Sequence, residues 1–444
     1  TALNVTSQPQ AGGTPFPFSE LLEVPHTPTA LYVNTPRSLL AMDIQGRFDN
    51  AFKSGNWDEA IAAMEEIARL EPERPDPYYY IGEAYRLKGD MASAIDAYNF
   101  ALQANAEFGP AYVGLARARI HIDPGANTEP LLDEAIRFDP NFGEAYLERA
   151  KVRLRDNNIA GAIADLGNAD RLLPNSPLVY YTLALARQRE GEFDLALTTA
   201  LRASQLDVTH MPTYLLLGQL YESTGNSADA ARVLDIYLKY NEGDADAYML
   251  LGRTQFADGE YEETIRVMNR VIGIDRNRRE AYLYRFYANI ELGNGEAADE
   301  DLDRLLVYYP DLFDFNIALT RAHLLQKRNG SALQVIEKAV SLAETDEQRA
   351  SAYFWAGAVY EERDELDKAA EYWQLLLDLP EEATTEEQRA VAEEHLRDIP
   401  TSTPATTPTK ARTPTRTPPV TASPTQTKTA TPTPTRTPSP TATK

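Results

Sequence analysis

The chain contains no cysteine, which removes disulfides, thiolate metal sites, cysteine nucleophiles and haem-attachment motifs together. Histidine is scarce. His26, His121, His210, His323 and His395 are scattered, with no two at metal-ligand spacing. No apolar run approaches the roughly 18 residues a membrane-spanning helix needs. Glycine-rich phosphate loops, the nucleophile elbow, the zinc-protease helix and the calcium loop are all missing. Paired carboxylates such as Glu65/Glu66, and the run Asp299, Glu300, Asp301, fall in helical pattern and read as solvated surface. No enzyme activity, metal or cofactor is expected.

Positive charge is also short. The formal net charge is -24 over 444 residues. Residues 401–444 hold six Lys/Arg and no acid, so the first 400 carry 37 basic against 67 acidic side chains. Such a body repels a phosphate backbone, and nucleic acid is not expected as a partner. With 43% hydrophobic and 25% charged residues, the composition is that of a folding chain.

What is present is a period. Tyr78, Tyr112, Tyr146, Tyr180, Tyr214, Tyr248 and Tyr282 recur every 34 residues, and Tyr353 follows 71 later. Sixteen residues after each comes a small residue: Ala94, Thr128, Ala162, Ala196, Ala230, Thr264, Ala298 and Ala369. Fixed spacing of this length marks a repeat array. Within each period the apolar pattern predicts two helices, for example about 78–87 and 91–103. Gly55, Gly89, Gly191, Gly225, Gly259 and Gly293, with Asn157 in the same slot, punctuate the turn between them. Pro72, Pro140, Pro174 and Pro310 follow the second helices. Gly82, Ala116, Ala150, Ala184, Gly218 and Gly252 stand where the first helix must approach its partner closely.

The pattern Tyr214-x2-Leu217-Gly218-x2-Tyr221 with Ala230 resembles the tetratricopeptide repeat, with Tyr for its usual Trp. Tyr78-x2-Ile81-Gly82-x2-Tyr85 and Tyr353-x2-Ala356-Gly357-x2-Tyr360 match similarly. Ten repeats are read over 41–383, beginning near 41, 75, 109, 143, 177, 211, 245, 279, 313 and 350. Ile44 and Asn316 depart from the tyrosine slot, and three extra residues near "AETDEQRA" suggest a longer final helix in the ninth repeat. Residues 384–400 are read as a charged capping helix. The resemblance implies an all-α, right-handed solenoid of helix-turn-helix units whose first helices line a concave groove, and a non-catalytic scaffold that binds a protein or peptide there.

Carried onto this chain, the groove slots give an apolar stripe of Tyr79, Val113, Leu147, Tyr181, Leu215, Met249, Leu283, Ile317 and Phe354. Beside it stand Arg86, Arg117, His121, Lys151, Arg155, Arg189, Arg253 and Arg321. The stretch "EAYLERAKVRLR" (144–155) concentrates four of the basic residues in an acidic chain. Lys151 and Arg155 are placed in the groove, and Arg149 and Arg153, like Arg119 and Arg187, in salt bridges between helices. Two readings stand: the groove cations pair with nearby acids, or they hold an acidic-aromatic peptide. The slots that clamp acidic chaperone C-termini in some members hold Tyr, Val, Leu, Glu, Arg and Lys here, so that ligand is not expected.

The ends differ in kind. Residues 401–444 hold 18 Thr, 10 Pro and 3 Ser and resemble the Thr/Pro spacers of exported bacterial proteins. With a start lacking Met, this favours export to the cell envelope or surface; the basic tail would suit a cell-wall polymer. Asn4-Val5-Thr6 and Asn329-Gly330-Ser331 are sequons by pattern. Within the proline-containing segment 1–40, "PFPFSELLEVP" (15–25) is expected to cover the apolar end of the first repeat, with occupation of the groove as a second reading. Self-assembly into a surface layer or filament, and a cytosolic adaptor, are the other functional readings.

Overall fold

Each period resolves into two helices, joined by a tight turn except in repeat 3, where residues 123–128 form a longer loop. A computed structural model describes residues 38–399; the segment 15–25, the sequon at Asn4 and the Thr/Pro tail lie outside the described residues. Repeat 1 is α1 (Leu39–Lys53) and α2 (Trp57–Leu70), and repeat 2 is α3 (Pro75–Lys88) and α4 (Met91–Ala104). Then come α5 (Gly109–Ile122) with α6 (Glu129–Phe138), and α7 (Gly143–Arg155) with α8 (Ile159–Leu172). Repeats 5 and 6 are α9 (Pro177–Glu190) with α10 (Phe193–Leu206), and α11 (Met211–Ser223) with α12 (Ser227–Leu238). Repeats 7 and 8 are α13 (Ala245–Ala257) with α14 (Tyr261–Ile274), and α15 (Arg279–Glu291) with α16 (Gly295–Tyr308). The last two are α17 (Phe313–Leu325) with α18 (Asn329–Leu342), and α19 (Asp346–Glu362) with α20 (Leu366–Leu377). A single 3-10 turn (Glu381–Ala383) and α21 (Glu386–Asp398) follow.

Local chemistry sets these bounds. Asn56, Asp90, Asn158 and Asp244 accept a hydrogen bond from a first-turn N–H of their helices. Proline begins α3 and α9, where its missing N–H costs nothing. The predicted turn residues have positive φ, and Asn157 shares it at 61°. Lys327 and Asp364 take the same left-handed slot in repeats 9 and 10, with φ of 56° and 60°; aspartate tolerates that conformation, lysine does not favour it. The extra residues near 345 do not lengthen α18. They extend α19 at its start, behind a reciprocal cap between Thr345 and Gln348.

Packing follows chain order. Each helix lies against its sequence neighbours, and from α3 to α19 each first helix also touches the first helix of the next repeat. Successive second helices make no comparable contact among the described residues. A stack whose first helices meet while its second helices stand apart must bend towards the first helices, so these form the inner layer of an α-solenoid.

Close approach explains the glycines. The Tyr98 ring of α4 wedges between α3 and α5; a Cβ on Gly82 would stand 2.5 Å from it, and one on Gly114 would also clash. The alignment tyrosines act through their hydroxyls. Those of Tyr112, Tyr146, Tyr214 and Tyr282 donate to the carbonyl six residues earlier, at 3.0, 3.2, 3.1 and 3.0 Å. This ties each first helix to the loop that feeds it. Asn316, in the tyrosine slot of repeat 9, donates the same bond to the Pro310 carbonyl at 3.0 Å.

Candidate binding surface

The inner layer does not present the expected apolar stripe. Tyr79, Val113, Leu147, Met249, Leu283 and Ile317 are buried. The residue after the alignment tyrosine points between neighbouring helices rather than into the groove: the Tyr79 ring lies 6.0 Å from Tyr98 and 5.9 Å from Phe108. Burial in a helix contact wins because it removes more apolar surface from water than a groove wall does. Tyr181, Leu215 and Phe354 of the stripe keep a half-buried surface, Tyr181 standing edge-on to His210 at 4.8 Å.

Nor is the surface a row of free cations. Arg117 on α5 reaches across to α7, bonding Glu144 at 2.8 Å and Glu148 at 3.0 Å. Lys151 bonds Glu148 at 3.1 Å, and Arg86 grips Glu83 through two nitrogens at 2.6 and 3.2 Å. The Tyr98 hydroxyl donates to Glu83 at 2.6 Å. Repeats 2 to 4 thus share a balanced set of three acids and three bases, with Glu83 and Glu148 buried and the others half-buried. Burial alone would raise the Glu148 carboxyl, but Arg117 and Lys151 outweigh it and hold the group down to about 2. Glu83 is likewise desolvated, yet Arg86 brings it below the usual carboxylate value.

The remaining cations are also engaged. Arg155 donates to the Pro124 and Ala126 carbonyls at 2.6 and 3.1 Å, clamping the irregular loop of repeat 3, and chelates Asp156. Arg189 donates to the Leu154 carbonyl. Arg253 pairs with Glu222 at 2.5 Å. Arg321 pairs with Glu291 at 2.5 Å and lies over the Trp355 ring at 5.4 Å. His121 is exposed. The arginines and Lys151 thus pair as the first of the two readings expects: each faces a carboxylate or carbonyl of its own repeat or of a neighbouring one, as a clamp within a repeat or a rung between two.

The rest of "EAYLERAKVRLR" follows the same logic. Arg149 chelates Asp165 at 2.9 and 2.6 Å and reaches Asp133 at 2.7 Å; Arg153 joins Glu129 and Asp165 at 2.8 and 2.9 Å. Arg285 repeats the clasp on Asp301 at 2.8 and 2.6 Å. Arg187 differs, bonding the Thr199 hydroxyl and the Leu195 carbonyl instead of an acid. Arg119 is exposed, with no ion pair among the described residues. Asn329 of the second sequon gives its amide N–H to the Glu362 carbonyl at 2.8 Å, so its side chain is already held.

One part of the inner layer stands apart. On α9 and α11, Tyr181, Leu185 and Leu215 are half-buried and Leu178 is exposed. Gln188 and Gln219 face each other at 3.4 Å. Leu185 occupies the slot that holds Arg117 in repeat 3, and Leu178 the slot of Glu144. Apolar and amide groups thus stand where the flanking repeats carry ion pairs. Reading those slots for cations alone passed over Leu178, Leu185, Gln188 and Gln219, although the same spacing marks them. Among the described residues no group of three or more His, Asp or Glu could hold a metal ion, and no helix is long and apolar enough to cross a membrane.

The tetratricopeptide repeat family model matches residues 46–110 and 215–278. The chain is similar to a solved tetratricopeptide repeat protein from Parabacteroides merdae, at 18% identity and a TM-score of 0.40 over 57% of this chain and 97% of that one. The C-terminal part of a repeat-containing protein from Cytophaga hutchinsonii matches at 18% identity and 0.43, covering 56% and 99%. The pilF protein of Pseudomonas aeruginosa matches at 16% and 0.40, covering 46% and 93%. No curated protein matches the chain.

Proposed function

Since this chain is a tetratricopeptide repeat protein, we propose that it is a scaffold binding a protein or peptide on the inner surface of repeats 5 and 6. The observation that carries this reading is the uncharged stretch of Leu178, Tyr181, Leu185 and Leu215 with Gln188 and Gln219. Half-exposed apolar side chains reward burial by a partner, and amides can hydrogen-bond an extended backbone. Acid pairing of Arg117, Arg253 and Arg321 removes the argument for an acidic ligand, so the partner is expected to present apolar or aromatic side chains. Affinity capture with residues 1–444 and with a Leu185→Arg/Leu215→Arg variant tests it. Loss of the partner by at least tenfold in the folded variant is expected; equal recovery refutes the site.

The scaffold's setting is proposed from the Thr/Pro composition of residues 401–444, which supports a solvated spacer outside the cytoplasm. Fractionation of the source cells with intact-mass measurement tests this. Unmodified protein confined to the cytosol would remove it.

A further inference from the structure

Between α2 and α4, over α3, lies an open groove of about 600 Å³. Its floor is Ala68, Ile81 and Ala97, all buried, and its aromatic walls are Tyr78, Tyr85 and Phe100. That volume lies in the range of sites that enclose a small ligand or a few side chains. It belongs to neither the inner surface nor the charge network of repeats 2 to 4.

Phe100 is the unusual member. It is 52% exposed, with only the Tyr78 ring beside it at 6.2 Å. The same slot, 22 residues after the alignment tyrosine, holds Glu134, Asn168, Arg202, Arg270, Arg304 and Lys338 in six other repeats and the apolar Ile236 and Leu375 in two more. Most repeats place a polar side chain here, and Ile236 packs against the core of its own repeats; Phe100, the most exposed of the apolar ones, stands over an open apolar groove, a surface that gains by being covered.

The chain itself leads to this place. The Ser38 N–H donates to the Glu71 carboxylate at 3.3 Å, so the polypeptide enters α1 beside the end of α2, one residue from Pro72 in the groove lining. The 37 preceding residues include "PFPFSELLEVP" at 15–25, with Phe16, Phe18, Leu21, Leu22 and Val24. Residues 26–37 can span about 40 Å when extended. The groove runs along α4 from Ser93 to Phe100, about 10 Å of helix, well within that reach. Arg69 on its rim has no carboxylate partner among the described residues, and the segment brings Glu20 and Glu23.

We propose that residues 15–25 seat in the groove between α2 and α4, with the Phe16/Phe18 pair against Phe100 and Tyr78 and a glutamate at Arg69. A short tether holds such a segment at an effective concentration in the millimolar range. Even a weak apolar contact is then mostly closed, and the groove is occupied by the chain's own N-terminal strap instead of a second molecule.

The absence of cysteine makes a direct test simple. In the full chain, Phe18→Cys carries a single benzophenone photo-cross-linker, and cross-linked peptides are mapped by mass spectrometry at micromolar protein. Cross-links to the 65–100 region within one molecule are expected, reduced at least fivefold by Phe100→Glu, whose fold is checked by circular dichroism. An excess of synthetic peptide 14–25 is expected to reduce the same cross-link, a readout that needs no substitution in the groove. Cross-links on α9 or α11, links only between molecules, or a yield that neither Phe100→Glu nor the peptide changes would overturn the proposal.

Discussion

Replacing Arg117 by Ala removes the counter-charge of the half-buried Glu144 and the larger of the two that face the buried Glu148, leaving Lys151 alone beside it. The Arg117 and Glu148 side chains are 21% and 11% exposed, so solvent screening is modest. Glu148 is held at about 2 against an ordinary 4.5, a difference of about 3 kcal/mol in favour of the folded state at neutral pH. Breaking one partner of a buried pair costs about 3–5 kcal/mol, and the partial exposure places this case near the lower figure. The pH dependence carries a sign. The native carboxyl is depressed, so its contribution is complete above 4.5 and fades as pH falls towards 2. Without Arg117, burial pushes Glu148 up, and protonation then relieves the variant. The deficit of Arg117→Ala should therefore be about 3 kcal/mol at pH 7 and clearly smaller at pH 4. Since repeat arrays open locally, amide hydrogen exchange of α5 and α7 is the assay. Adding Glu148→Gln should recover much of the loss, because the pair rather than the arginine is at stake. A deficit under 1 kcal/mol, or one equal at both pH values, would refute the reasoning.

Gly82→Ala and Gly114→Ala each press a Cβ into the Tyr98 ring and should cost about 1–3 kcal/mol; thermal melts of the full chain, with Gly46→Ala in open space as control, check this. Lys327→Gly relieves left-handed backbone and should stabilise by about 1 kcal/mol, with a smaller gain for Asp364→Gly because aspartate tolerates that conformation, both read by urea titration. Arg155→Ala frees the carbonyls of Pro124 and Ala126, so protease cleavage within 123–128 should accelerate several-fold with little change in melting temperature. Burial, aided by Arg328, lowers the His323 imidazole, so the folded state binds its proton less readily than the unfolded chain. Stability of repeat 9 should fall as pH drops below about 6.5, and His323→Leu should flatten that slope in hydrogen exchange of α17.

The architecture was legible because its rules are periodic. Tyrosines 34 residues apart and small residues sixteen further on reflect steric demands that every repeat must meet, and the family pattern gave the direction of the inner face. The binding surface was harder to read, because which way a groove-edge side chain faces is settled by neighbours one repeat away. Arg117 looks like a ligand for an anion until Glu144 and Glu148, 27 and 31 residues on, are placed beside it. Tyr79 looks like a groove aromatic until Phe108 meets it from the next loop. Leu185 was legible by spacing but carried no charge to attract notice. Asn316 broke the pattern in sequence yet kept its hydrogen bond, since an amide can donate where a phenol does.

The rungs between first helices have a mechanical consequence. Ion pairs join α5 to α7, α11 to α13 and α15 to α17, and each would have to stretch or break if the array straightened. Between α9 and α11 the corresponding link is an amide pair at 3.4 Å among leucines, which yields more readily. Of these four links, the one between repeats 5 and 6 is the one without charge. A partner that wedges into repeats 5 and 6 would thus spread the coil at that link, turning a local contact into a change in the spacing of the two ends.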